Sequence, residues 1–582
     1  MIKEQKINKE VQAVKMTGGE ALLSALEDHG VNTLFGYPGG AIMPVYDKLY
    51  DHKEKLNHIL MRHEQGAIHA AQGFARVSGQ IGVCMVTSGP GATNTITGIA
   101  DAMIDSTPVL VIAGQVGTKM LGSDAFQEVD LVGITQPISK WSYQIRSAAD
   151  VPWAVARACY IATSGRPGPV VLDFTKDAQI GTLDYQPTIV DFIRSYVSNP
   201  QPVEGSLEQA ATLINEATKP FMLVGQGVLL GEATAELEEL IKKTDIPVGE
   251  TLLGLSAMPS AHPNNLGMLG MHGNLAPNKA TNLCDVLIAV GMRFDDRVTG
   301  NLETYAPQAK VIHLDIDPAE FNKNVRVDVP ILGDCKQSLK KLTALCAPRN
   351  HQSWIDSLLP YTEEEHKVVC SKELRSTSDG SLRMGQVARL VSQATHDEAI
   401  LVTDVGQNQM LSSRYFRYTH PRSLVTSGGL GTMGFGLPAA IGAIYGNRQV
   451  NHDDKKPVVL MTGDGGIQMV IQELGTIMEQ QCPVKIVILN NSYLGNVRQW
   501  QEMFFKKRYS FTPMENPDYL KLSDAYGIKS KRVVSEEQLN EAIAEMLSYD
   551  GAYLLEVCVE KEGNVMPMVP IGGTISDMLL EP

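Results

Sequence analysis

Two turns set in one frame constrain this chain more than any other feature. The run PVVLMTGDGG ends in the glycine turn Gly463–Gly466, VKIVILNN ends in Asn490 and Asn491, and these asparagines follow Asp464 by 26 and 27 residues. Both apolar runs read as buried strands. The intervening IQMVIQELGTIMEQQ has helical spacing, with Ile467, Val470, Ile471, Leu474 and Met478 on one face. Strand, turn, helix and strand in that order make a parallel unit, and its two turns fall at neighbouring carboxyl ends of a sheet, where open α/β sheets hold ligands. Asp464 offers a hard carboxylate and Asn491 an amide oxygen, while Gly463, Gly465 and Gly466 let backbone amides approach a diphosphate. One or two protein oxygens, with phosphate and water completing an octahedron, suit Mg²⁺.

A chain of 582 residues exceeds a single core and implies about three domains. Hydrophobic residues make up 43% and charged residues 20%, ordinary for a globular protein, and no apolar stretch is long enough to span a bilayer. The first residues, MIKEQKINKEVQAVK, have no apolar h-region, and their positive charges are lysines interspersed with glutamates. That pattern is neither a secretory signal nor a transit peptide, so a cytoplasmic protein is expected. A formal charge of −15 argues against a nucleic-acid-binding or membrane-binding surface. The eight cysteines are scattered without CxxC or zinc spacing and read as small core residues in a reducing compartment.

The organisation predicted is α/β, with three doubly wound parallel-sheet domains. Residues 1–15 read as an extension, and 16–182 as a first domain in which apolar runs alternate with amphipathic helices. Residues 181–202 lose that periodicity and carry prolines, as a linker does. A second block covers 203–348, with strands in PFMLVGQG, DVLIAVGMRF and KVIHLDIDP. A polar helical stretch near 351–380 separates it from a third block, 381–560, which holds the metal motif. The tail 561–582 reads as a lid or clamp.

The GDGG and NN pair resembles the metal–diphosphate pattern of thiamine diphosphate (ThDP) enzymes. Such an enzyme needs a carboxyl group facing N1′ of the aminopyrimidine, and Glu64, in RHEQGA at the start of a helix, is the candidate. In order along the chain come FGYPGGAIMPVYD, RHEQGA, TSGPGATN, AGQVGTKMLGSDAFQEVD, SGRPGPVVLDFTKD, GMLGMHG, RFDDRVTGN, DIDPAE, TSGGLGTMGFGLPAA and VRQWQ. Together, over about residues 16–570, they resemble the catalytic subunit of biosynthetic acetohydroxyacid (acetolactate) synthase.

The resemblance implies ThDP, Mg²⁺ and FAD as cofactors, and an active site shared between two subunits of a homodimer or dimer of dimers. It also implies a small regulatory subunit. Tyr493 would add a backbone carbonyl to the metal set of Asp464 and Asn491. Gly406, Gln407, Asn408 and Gly431 would help hold ThDP, and Met433 would support its bent shape. The family usually has His where Asn408 stands, and Met where Asn496 stands. Arg297 would take the carboxylate of the second 2-ketoacid, Trp500 would favour 2-ketobutyrate over pyruvate, and Phe126, Gln127 and Lys176 would complete the pocket. Arg166, His272, Gly273, Arg293, Asp315 and Asp334 lie in stretches matching the flavin site. Without the resemblance Trp500 reads as a core or interface residue and Arg297 as half of a surface ion pair, and GQGVLLG is a poor dinucleotide fingerprint.

The activity implied is decarboxylation of pyruvate on ThDP and addition of the hydroxyethyl unit to pyruvate or 2-ketobutyrate, giving 2-acetolactate or 2-aceto-2-hydroxybutyrate for branched-chain amino acids. A flavin-reducing pyruvate oxidase, an FAD-free catabolic acetolactate synthase and a cofactor-binding regulatory subunit are the alternatives. RFDDR with VRQWQ weighs against the first, and the flavin-matching stretches against the second. Glu64, Asp464 and Asn491 together weigh against the third.

Overall fold

The computed structural model describes residues 14–452 and 455–582, so residues 1–13 of the expected extension lie outside the described residues. Two compact units emerge, Met1–Gln72 with Gln80–Tyr196 and Gly73–Gly79 with Val197–Pro582.

The first unit contains β1 (Val14–Thr17), β2 (Thr33–Gly36), β3 (Asn57–Leu60), β4 (Gly82–Val86), β5 (Val109–Gln115), β6 (Trp141–Ile145), β7 (Val170–Thr175) and β8 (Thr182–Tyr185). Six of them form a parallel sheet in the order β3-β2-β4-β5-β7-β6. Strands β4, β5 and β7 are buried along their whole length, as continuous apolar runs in a sheet covered on both faces must be. β1 pairs antiparallel with β8, Val14 opposite Tyr185. The expected boundaries therefore shift at both ends. Val14 and Lys15 are strand rather than extension, and the linker opens with a strand because Thr182–Tyr185 satisfies its backbone against β1.

The second unit holds two sheets. In the first are β9 (Pro220–Val224), β10 (Val248–Glu250), β11 (Asn265–Met268), β12 (Val286–Val290), β13 (Lys310–Asp315) and β14 (Val329–Leu332), in the order β11-β10-β9-β12-β13-β14. That is the 3-2-1-4-5-6 arrangement of dinucleotide-binding folds, with its switch point between β9 and β12. The other contains β15 (Ile400–Thr403), β16 (Leu424–Val425), β17 (Val458–Gly463), β18 (Lys485–Asn490), β19 (Lys529–Val533) and β20 (Tyr553–Cys558), in the order β16-β15-β17-β18-β20-β19. Counted from its own first strand this order is 2-1-3-4-6-5, the same as in the first unit.

The polar stretch after the central sheet is more than a separator. Helix Gln352–Glu365 buries Trp354 and Leu358 against Phe221 and Leu287. The tail joins the same core through Val569 and Ile575 and runs in pairing contact with itself, Met568 opposite Leu579. The helix expected across Ile467–Met478 is interrupted. Asp464–Gln468 and Leu474–Gln480 are separate helices, with a 3₁₀ turn Ile471–Glu473 between them. The adjacent β-branched Val470 and Ile471 disfavour a continuous helix, and Met478 consequently faces solvent rather than the core. No helix among the described residues is long and apolar enough to cross a membrane.

Candidate active site

β17 pairs with β18 on one side and β15 on the other, so the turns after all three strands lie side by side at the carboxyl edge. β15 and β17 flank the point where strand order reverses, and the GDGG turn sits there. Asp464 begins the helix Asp464–Gln468 and is almost fully buried. The amide of Asn516 donates to its carboxylate at 2.7 Å and to Asn490 Oδ1 at 3.0 Å, tying the two turns together. Burial pushes the Asp464 carboxyl up to about 6, with Asn516 acting the other way, and no cationic side chain pairs with it among the described residues. A bound cation is the compensating charge such a group needs.

Asn491, also buried, accepts from Tyr493 N–H at 3.2 Å and donates to Gln407 Oε1 at 3.3 Å. Gln407 is a hub, since its Nε2 also donates to Gln499 Oε1 at 3.0 Å and to the Gly563 carbonyl at 2.9 Å. Asn408 donates to the Val405 carbonyl at 3.2 Å, while its own Oδ1 is buried without a partner. The amide at a position where the resembled family usually has a histidine thus leaves an acceptor unsatisfied. Gly466 is required by close approach, because a Cβ there would lie 2.5 Å from Asp404 Oδ1.

Asp404, which the sequence reading passed over, organises the neighbouring loop. Fully buried, it accepts from the backbone N–H of Val405 (2.7 Å), Gly434 (3.1 Å) and Gly436 (3.1 Å), fixing GTMGFG beside the GDGG turn. Met433 is thereby placed over Gly465, its Cε 3.6 Å from where a Cβ would be, and Gly431 adopts φ +67° at the loop's exposed end. The signal available was an acid at the end of an apolar strand, TDVG; Asn516 carried none.

Helix Gly495–Phe504 presents VRQWQ. Arg498 and Gln499 are fully buried and face the tail: Arg498 donates to the Gly563 carbonyl (2.7 Å) and Asn564 (2.6 Å), and Gln499 exchanges bonds with Val565. Trp500, half-buried, meets Phe504 edge-on at 5.5 Å. Asn496 has a buried Oδ1 without a partner.

Arg297 projects to solvent near Asp296 (3.5 Å) and Met271 Sδ (3.4 Å), its loop fixed by Asp295 capping Arg297 N–H at 3.0 Å. Arg293 lies 3.9 Å from Asp295. Asp315 ends β13 and accepts from Asp317 N–H at 2.9 Å, and Asp334 caps helix Cys335–Leu345 through Gln337 N–H at 2.9 Å. His272 is held neutral, its pKa lowered to about 4 by burial. At the β9/β12 switch point Gly225 and Gly291 pack against each other. A Cβ on Gly225 would meet the Gly291 carbonyl at 2.3 Å, so GQG serves close packing here although it is no GxGxxG.

The remaining candidates lie in the first unit. Glu64 opens helix Glu64–Ser78, is half-buried, and accepts from Asn94 Nδ2 at 2.9 Å. Phe126 is 87% exposed, an unusual setting for a phenylalanine, and Gln127 beside it has φ +60°. Their loop is pinned by Gln115, which donates to the Val129 carbonyl (2.9 Å) and to buried Asp173 (3.2 Å). Lys176 is exposed at the start of helix Lys176–Ile180, and Arg166 donates to Ser106 at 2.8 Å. Glu64, Phe126, Gln127, Lys176 and Arg166 thus belong to one unit, and every other candidate to the other.

Three family models match: the N-terminal TPP binding domain of thiamine pyrophosphate enzymes over residues 16–134, the central domain over 207–342, and the C-terminal TPP binding domain over 404–557. The fold and the site thus define a thiamine pyrophosphate enzyme. The chain is 45% identical to the acetolactate synthase isozyme 2 large subunit of Escherichia coli K12, over 97% of this chain and 99% of that one. It is 44% identical to the probable acetolactate synthase large subunit of Methanocaldococcus jannaschii, over 97% and 95%. With the Haemophilus influenzae acetolactate synthase large subunit it shares 40% identity, over 97% and 98%. The chain belongs to the acetolactate synthase large-subunit family.

Proposed function

We propose that the chain is the catalytic subunit of an acetolactate synthase, joining the two-carbon unit left by decarboxylation of pyruvate to pyruvate or 2-ketobutyrate, in the route to valine, leucine and isoleucine. The observation that carries this reading is the near full-length likeness to acetolactate synthase large subunits. When bound, ThDP supplies the carbon nucleophile and the electron sink. Asp464, Asn491 and the Tyr493 carbonyl hold Mg²⁺, and Gly463, Gly465 and Gly466 with Gln407, Asn408 and Gly431 hold the diphosphate. Buried Asp464 and the unsatisfied oxygen of Asn408 support that assignment. Glu64 would hold and return a proton at the aminopyrimidine N1′, and Met433 would pack against the bound cofactor.

Arg297 takes the carboxylate of the second 2-ketoacid, and Trp500 packs on the extra methyl of 2-ketobutyrate. Phe126, Gln127 and Lys176 close the pocket. Their chain contributes them to a site completed by Asp464 of a second copy, in a homodimer or a dimer of dimers. FAD is held by Arg166, His272, Gly273, Arg293, Asp315 and Asp334, a reading that the strand order of the central sheet supports. Net carboligation moves no electrons to it, so its role is structural. A small regulatory subunit accompanies the enzyme, which works in the cytoplasm.

The test is one competition assay with ThDP, Mg²⁺, FAD and equal pyruvate and 2-ketobutyrate. Predominant 2-aceto-2-hydroxybutyrate is expected. Acetate with reduced flavin would replace this reading by an oxidase.

A further inference from the structure

We propose that the buried pair Arg414–Glu365 is a positioning device that couples the two cofactors, so that FAD and ThDP each tighten the binding of the other. The inference rests on the cofactor assignment above. Helix Gln407–Tyr415 carries Gln407 and Asn408, the diphosphate residues, in its first turn and Arg414 in its last. Arg414 and Glu365 are nearly devoid of solvent, with side chains 1% and 4% exposed, and they pair directly. Arg414 Nη1 also donates to the carbonyls of Gly273 (2.6 Å) and His272 (3.2 Å). Glu365 accepts from Asn274 Nδ2 at 2.8 Å and from Leu275 N–H at 2.5 Å. Burial opposes the guanidinium charge, and Glu365 more than offsets it, holding Arg414 firmly protonated.

Residues 272–275 are therefore gripped from both sides by one ion pair. Its arginine stands on the diphosphate helix. Its glutamate ends helix Gln352–Glu365, where a π-helical turn, His366–Cys370, begins. A planar guanidinium bonded to two carbonyls and a carboxylate cannot shift without moving the loop. A cofactor that shifts the diphosphate helix or the loop 272–275 must shift the other through this pair, so the second cofactor meets an arrangement that the first has already set. A merely stabilising pair would raise both affinities or neither, without linking them. This coupling also gives a non-redox enzyme a reason to hold a flavin.

The experiment uses the full chain stripped of cofactors. Tryptophan fluorescence follows ThDP–Mg²⁺ binding without FAD and at saturating FAD, and flavin fluorescence follows the reverse titration. Linkage requires the same factor in both directions, about 10-fold within the usual range of coupling. Glu365→Gln, which keeps the shape, and Arg414→Met should bring the ratio below about 2 while ThDP affinity without FAD stays within about 2-fold. A wild-type ratio of one with both cofactors bound overturns the inference alone, whether or not the variants fold. A full ratio surviving in Glu365→Gln also overturns it. Failure of the wild type to bind FAD overturns both the inference and the flavin assignment.

Discussion

Trp500 meets its surroundings through one half-buried face stacked edge-on with Phe504. Removing the indole should cost the acceptor preference about 1–3 kcal/mol, the value of one methyl group in an apolar pocket. Trp500→Ala is therefore expected to bring a preference of tens of fold close to parity in the competition assay, with pyruvate consumption retained. Asp173 makes a pH prediction. It is fully buried, and desolvation raises its pKa to about 6 against the amides of Gln115 and Gln144. The folded state binds this proton more tightly than the unfolded chain, so stability is greatest below the unfolded pKa and falls as pH rises to about 6. Thermal unfolding between pH 4 and 6 should show that slope, to which Asp173 contributes up to about 3 kcal/mol beside Asp464, Glu250 and Glu373, and Asp173→Asn should remove its share alone. At this scale the sequence disclosed residues that announce themselves chemically, Asp464 and Asn491 above all. It hid Asn516 and Asp404, because their work depends on loops that meet only in three dimensions.

Helix Gly495–Phe504 turns its buried side to the tail. Fully buried Arg498 holds Gly563, Asn564 and Glu502 at once. Arg498→Met removes three hydrogen bonds to half-buried partners, at a cost of about 1–3 kcal/mol. Limited proteolysis should then cut near residue 563 at protein concentrations where the wild type resists. Elements were legible where the pattern was long and buried: β5, β7, β17 and β18 could each be read from an apolar run closed by a turn. Half-exposed strands such as β6 and β19 carried no such run. The helix expected after Asp464 is interrupted because apolar spacing survives a break that backbone preference imposes at Val470.

Across the whole molecule, the periodicity of the chain predicted three doubly wound sheets, and three are present, though the second and third share one compact unit. That fusion was illegible because Leu255 and Met268 of the central block pack into the core of the third sheet, and nothing in their spacing marks them for it. If the site joins Glu64 of one copy to Asp464 of another, two dead variants should rescue each other. Co-expressed Glu64→Gln and Asp464→Ala copies are expected to recover about a quarter of wild-type activity. Random assortment makes roughly half the dimers mixed, and each mixed dimer holds one intact site in two. No recovery would place both residues in a site made by a single copy.

Val569 and Ile575, seated in the core of the central sheet, have a consequence for how the protein is made. That sheet has its last strand at Leu332, yet two of its core side chains leave the ribosome more than two hundred residues later. At ordinary elongation rates of about 5–20 residues per second, the central domain waits some tens of seconds with an open flank. Messages truncated between the codons for Leu332 and Val569 should therefore yield insoluble product, and a purification tag belongs at the amino end.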